Sequence, residues 1–195
     1  MPYRIITISR APYSGARHIA RLVADKLNLA YYDKELITLA AKESGLSEEA
    51  IAASETQRSS SLLYSLSILG SQLPLADQVY LVKSNVIKQV AEEGPCVIVG
   101  CCGDYVLNSR KDVLNVFLYG SEDLRVAQGQ AEGLLPADHA AALSALHKAD
   151  RKKADYYLYY TQNRWGQAQN YDLCLNAELG ADLCAQLIED AYTKG

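Results

Sequence analysis

The stretch Ser9-Arg10-Ala11-Pro12-Tyr13-Ser14-Gly15-Ala16-Arg17 stands where an apolar, β-branched run hands over to an amphipathic segment. A loop at such a junction meets the free N–H groups of the first helical turn and the positive end of the helix dipole, so an anion there is favoured. Phosphate suits that chemistry. The strict phosphate-binding loop reads Gly-x4-Gly-Lys-Ser/Thr, its glycines admitting the backbone close to phosphate and its lysine reaching the outer oxygens. With Gly15 on the second glycine, Arg10 takes the place of the first, Ala16 that of the lysine and Arg17 that of the hydroxyl residue. Arg10 and Arg17 can supply the missing charge, because guanidinium groups bind phosphate oxygens bidentately. The same residues also read as an ordinary turn carrying two solvated arginines.

Three further places bear residues of the right type. Asp104 follows the apolar Cys96-Val97-Ile98-Val99 and Gly100, near the carboxyl end of a strand. It is suited to bind a metal through water or to orient an arginine, and equally to cap a helix. Lys148 to Tyr157 packs four cations, Lys148, Arg151, Lys152 and Lys153, beside an aromatic run. On a helix it can fold over phosphates as a lid that stabilises charge on a transferring phosphoryl group, or simply present a solvated face. There Arg151 falls near Asp155, and Tyr156 and Tyr160 share a face. Asp33 follows a short extended piece and doubles as a candidate N-cap for the next helix.

The elements that must position these residues alternate along the chain. Strands are predicted at Tyr3 to Ile8, Leu29 to Tyr32, Cys96 to Val99, Leu114 to Tyr119 and Tyr171 to Asn176, and helices at Ala16 to Leu27, Lys34 to Glu43, Asp77 to Glu93 and Ala181 to Tyr192. Ser47 is placed to cap a further short helix, residues 55 to 75 read as a Ser-rich loop with short helical pieces, and about fifty residues before the last strand carry helical patterning. Strands separated by helical crossovers imply an α/β fold with a doubly wound parallel sheet, whose ligands bind at the strand carboxyl ends.

Composition narrows the classes of function. The chain has 195 residues, 49% hydrophobic and 22% charged, which suits one domain. A net charge of −4 lacks the electrostatic footprint of a nucleic-acid binder, so no nucleic-acid partner is expected. No apolar run approaches the roughly 18 residues that span a bilayer, so no membrane partner and a cytoplasmic location are expected. Five cysteines form no CxxC pair, and the three histidines complete no zinc pattern with them. Fourteen tyrosines against one Phe suggest a partly wet interface or cleft, where rings with a polar tip are useful.

Together, ITISR…SGARHIARLVADKL, YYDKELI, GPCVIVGCCGDYVL and ADYYLYYTQNRWG…NYDLCLNA resemble the cytidylate kinase-like family of P-loop nucleoside monophosphate kinases, in order and over nearly the full length. The resemblance implies a single domain over residues 1–195: a P-loop kinase-like parallel sheet flanked by helices, a monophosphate-binding region at about 34–76 and a helical lid at about 133–170. It also implies transfer of the γ-phosphoryl group of ATP, with Mg²⁺ held through the phosphates, to CMP or dCMP. Carried over, Ser9, Arg10, Ser14, Gly15, Ala16 and Arg17 line the donor loop and Arg125 contacts the donor base. Asp33, Arg58, Gly100 and Asp104 belong to the acceptor side, and Arg17, Asp104, Arg151 and Lys153 carry the catalytic roles.

The departures are specific. The family loop usually reads Ser-Arg-Glu-x-Gly-Ser-Gly-Gly-Arg, where this chain has Ala11 for the Glu, Tyr13 for the first glycine and Ala16 for the last. The usual Gly-Arg-Cys-Ala-Asp is Gly100-Cys101-Cys102-Gly103-Asp104, and the usual Lys-x-Arg of the lid is Arg151-Lys152-Lys153. If each lost bidentate contact is worth about 1.5 to 3 kcal/mol, two of them remove roughly two to four orders of magnitude in rate. Three readings fit these residues: a kinase for CMP or dCMP with weakened loop chemistry, a kinase for another small acceptor, and a catalytically silent nucleotide- or phosphate-binding regulatory module.

Overall fold

The computed structural model describes residues 2–49, 51, 73–100 and 102–195. Five strands, β1 (Ile5–Arg10), β2 (Ala30–Tyr32), β3 (Cys96–Val99), β4 (Val113–Tyr119) and β5 (Leu173–Asn176), form one parallel sheet in the order β2-β3-β1-β4-β5. Their apolar runs sit in the middle of the sheet because β1 and β3 are covered on both faces, which leaves no polar side for alternation to mark. The register pairs Ile5 with Cys96 on one side and with Val113 on the other, so the carboxyl ends of β1, β3 and β4 lie along one rim.

Helices α1 (Ala16–Leu27), α2 (Glu35–Ser44), α3 (Leu75–Glu93), α4 (Gly103–Val106), α5 (Glu122–Ala131), α6 (His139–Thr161) and α7 (Ala181–Lys194) complete the described elements, with 3-10 turns at Ala168–Asn170 and Ala177–Leu179. Ile6, Ile8, Val97, Val99, Leu114 and Val116 face α1 and α7, while Ile5, Cys96, Ile98 and Val113 face α2 and α3. The result is a sheet between two helical layers. A third, smaller cluster of Val126, Leu135, Ala142 and Leu146 joins α5 to α6, and Tyr13 of the loop after β1 packs against it.

The predicted elements fall within a few residues of these bounds, and the roughly fifty residues of helical pattern resolve into α5 and α6. The expectations for residues 55 to 75, including Arg58, lie almost wholly outside the described residues, as does Cys101. Capping by Asp33 does not occur: α2 begins at Glu35 behind Lys34 with no side-chain cap, because the Asp33 carboxylate is turned toward two arginines instead. The tyrosine excess has a place in the fold. Tyr80 of α3 stacks on Tyr160 of α6 with ring centroids 4.0 Å apart, Tyr156 meets both edge-on, and the Tyr160 hydroxyl donates to Asp77 at 2.9 Å. Among the described residues no helix is long and apolar enough to cross a membrane.

Candidate active site

Strand β1 ends at Arg10, and the chain turns through residues 11–15 before α1 starts at Ala16. Gly15 adopts φ +72° as the N-cap and offers no side chain to cap the helix, so the N–H groups of Ala16 and Arg17 stay directed into the loop while that of His18 donates to the Gly15 carbonyl at 3.0 Å. Ser14 closes the turn, its hydroxyl donating to the carbonyl of Ala11 at 2.8 Å. Tyr13 holds φ +60°, the left-handed conformation a glycine takes without cost. The loop thus keeps a glycine's backbone path with a tyrosine on it. The ring turns away toward the third cluster, where a Cβ added at Gly129 would lie 3.2 Å from Tyr13 Cγ.

A cavity of about 240 Å³ opens over this loop, lined by residues 10–17 together with Glu132, Leu134 and Lys153. A smaller one of about 40 Å³ adjoins it, lined by Arg10, Arg17, Asp33, Lys34, Ile37, Val99, Gly100 and Lys153. Arg10, Arg17 and Lys153 therefore face both, and a cationic seam runs between them. Within a chain of net charge −4, this concentration of positive groups fits an anionic ligand.

Asp33 is the counter-charge in the seam. Its carboxylate accepts from Arg17 Nε at 2.7 Å and lies 3.6 Å from Arg10 Nη2. Gly100, with φ +82°, gives Arg10 its room, since a Cβ there would come 2.7 Å from Nη1. The residue after β2 thus meets the arginines at both ends of the loop after β1.

Asp104 is placed differently. It is buried under the loop and lines neither cavity, and its carboxylate accepts from Tyr157 at 2.5 Å and from Ser9 at 3.3 Å. Burial pushes its carboxyl above the ordinary range, and the two hydroxyl donors partly offset that. Desolvation also raises the Tyr157 phenol, and burial pushes Tyr171 up to about 12. The Tyr171 hydroxyl approaches Ser9 and Tyr157 without full hydrogen-bond geometry.

Arg125 is buried at the start of α5 and grips Asp150 of α6 with both Nη atoms, at 2.8 and 2.9 Å. Its Nη1 also reaches the carbonyl of Pro12 at 3.5 Å, and its buried Nε has no hydrogen-bond partner. Arg151 and Lys152 are exposed and outside both cavities, whereas Lys153 enters them. The seam therefore gathers Arg10, Ser14, Gly15, Ala16, Arg17, Asp33, Gly100 and Lys153, with Ser9 and Asp104 beneath it and Arg125 at its flank. Sequence reasoning missed Lys34, Glu132, Asp150 and Tyr157. Only Asp150 and Tyr157 had a legible signal, their spacing of three and four residues from Lys153 on one helix.

A parallel sheet whose first strand runs through an anion-directed loop into the first helix, with a second crossover before its neighbouring strand, is the P-loop kinase fold. The chain belongs to the cytidylate kinase-like family, whose sequence pattern matches residues 5–179. Among solved structures it is similar to an uncharacterized protein from Eubacterium ventriosum ATCC 27560, with 23% identity and a TM-score of 0.72, covering 96% of this chain and 97% of that one. A shikimate kinase from Bacteroides thetaiotaomicron follows at 15% identity and TM-score 0.60, with 96% and 97% covered. A gluconokinase from Sinorhizobium meliloti 1021 has 14% identity and TM-score 0.53, with 100% and 98% covered. At such identities the likeness is one of fold. Among curated proteins no match is found.

Proposed function

We propose that the protein is a phosphotransferase that moves the γ-phosphoryl group of ATP to a small acceptor, CMP or dCMP being the acceptor implied by its family. The observation that carries this reading is the run of Arg10, Arg17 and Lys153 through two adjoining cavities, one over the donor loop and one at the carboxyl ends of β2 and β3. Phosphoryl transfer asks little covalent chemistry of the protein; it asks for position and neutralised charge.

The residues fit the phosphate end of ATP. The larger cavity is somewhat smaller than the roughly 300 to 1,000 Å³ of whole-ligand pockets, as suits the triphosphate rather than the whole nucleotide. Its floor offers helix N–H groups and its walls three cations against one acid, Glu132. ATP with Mg²⁺ supplies the activated phosphoryl group and screens its charge. Arg10 and Arg17 bind the outer phosphate oxygens, taking the part of the absent loop lysine, and Lys153 covers the transferred group from the lid. Asp33, on the acceptor side, accepts from an acceptor hydroxyl once phosphate has drawn the arginines away from it. Asp104 holds the Ser9 hydroxyl and with it the end of β1.

A second reading, a silent phosphate-binding regulatory module, is favoured by one observation: both loop arginines are paired with Asp33. Steady-state transfer of labelled γ-phosphate from ATP to CMP, dCMP, UMP, AMP and small hydroxy acids separates the two. Turnover with any acceptor supports the kinase. No turnover, with ATP still raising the melting temperature, supports the module.

A further inference from the structure

Helix α6 carries Asp150, Lys153 and Tyr157 at i, i+3 and i+7, which at about 100° per residue places them on one face roughly 60° wide. Each ends on a different part of the site. Asp150 receives both Nη groups of Arg125, whose Nη1 also meets the carbonyl of Pro12 in the donor loop. Tyr157 is buried and donates to Asp104, which in turn holds the hydroxyl of Ser9 at the end of β1. Lys153, between them, lines both cavities. Its neighbours Arg151 and Lys152 carry the same charge but are exposed and reach neither.

We infer that Asp150 and Tyr157 are positioning residues that seat the Lys153 ammonium group between the donor and acceptor cavities. The inference rests on the phosphotransfer proposed above. Lysine is a point charge on a flexible stem, so its placement depends on how firmly its backbone is held. Two anchors on the same helix face, one before and one after it, fix that backbone against the donor loop and against the end of β1. Misplacement of a reacting contact by about 1 Å can cost roughly 100-fold in rate. Both anchors also join the lid to the loop it covers, so loop and lysine are held in one frame.

The test is a pair of double-mutant cycles on the full chain. Asp150→Asn and Tyr157→Phe should each lower kcat for γ-phosphoryl transfer by about tenfold or more and weaken tripolyphosphate binding by about threefold or more. In a Lys153→Ala background neither should cause further loss, because both act through the lysine. The charge-exchanged double variant Arg125→Asp/Asp150→Arg should recover part of what Asp150→Asn loses. Losses that add to that of Lys153→Ala would overturn the inference, since a purely structural role predicts addition. The same cycles read as tripolyphosphate affinity by calorimetry separate this inference from the kinase reading. Non-additive weakening of binding without turnover keeps the anchors and removes the kinase, and additive weakening removes the anchors whether or not turnover occurs.

Discussion

The carboxylate of Asp33 takes the Nε hydrogen of Arg17 at 2.7 Å, so an acid lining the smaller cavity holds the arginine that follows the loop after β1. Arg17 is half exposed, at 51%, which limits such a pair to a modest energy. Incoming phosphate can therefore displace it. Asp33→Asn should raise tripolyphosphate affinity by about two- to fivefold, the equivalent of roughly 0.5 to 1 kcal/mol. Calorimetry showing weaker binding would mean that Asp33 prepares the arginines rather than competing for them.

Gly100 makes a second relation testable. Its φ is +82°, and a Cβ added there would lie 2.7 Å from Arg10 Nη1, which leaves no room for a side chain without moving the guanidinium. Gly100→Ala should cost about 1 to 2 kcal/mol of stability and weaken ATP binding by several-fold. A thermal melt and an ATP titration on one preparation check both. Unchanged ATP binding would remove Arg10 from the donor site.

Asp104 gives a stability prediction with a sign. Its folded carboxyl lies above its unfolded value, mainly through burial, so its contribution is fully present below the unfolded value of about 3.9. That contribution is lost as pH rises through the raised folded value, and above it the buried charge is a constant cost. The effect of Asp104→Asn on stability should therefore be more favourable at pH 7 than near pH 3.5. Denaturant melts at the two pH values check this, and the reverse order would contradict it.

Tyr13 combines strain with packing. A left-handed non-glycine residue costs about 1 to 2 kcal/mol, and the half-buried ring against the α5 and α6 cluster returns a similar amount. Tyr13→Gly should leave stability within about 1 kcal/mol of the parent and ATP affinity equal or higher. A loss of ATP affinity beyond tenfold would show that the ring holds the donor.

The order of strands and helices was legible in the sequence because Cys96 to Val99 is an apolar run bounded by turn residues, Leu114 to Tyr119 is largely apolar, and α1 repeats its apolar residues at helical spacing. The loop could be read as an anion site for the same local reason. The pairings were not legible. Arg125 finds Asp150 across 25 residues and Tyr157 finds Asp104 across 53, and each depends on how α6 lies against α5 and α4 rather than on its own periodicity. Asp33 illustrates the same limit: N-capping is a local expectation, and two arginines brought in by β1 and α1 outweighed it.

The proposed phosphotransfer requires the loop from Ser9 to Arg17 to hold the phosphates of ATP. The rate of γ-phosphoryl transfer from saturating ATP to CMP, measured for the wild type and for Arg17→Ala together with ATP affinity, checks this. The wild type should turn over, and Arg17→Ala should bind ATP more weakly by about tenfold or more and transfer phosphate more slowly. An Arg17→Ala variant that binds ATP and transfers phosphate as well as its parent would contradict it.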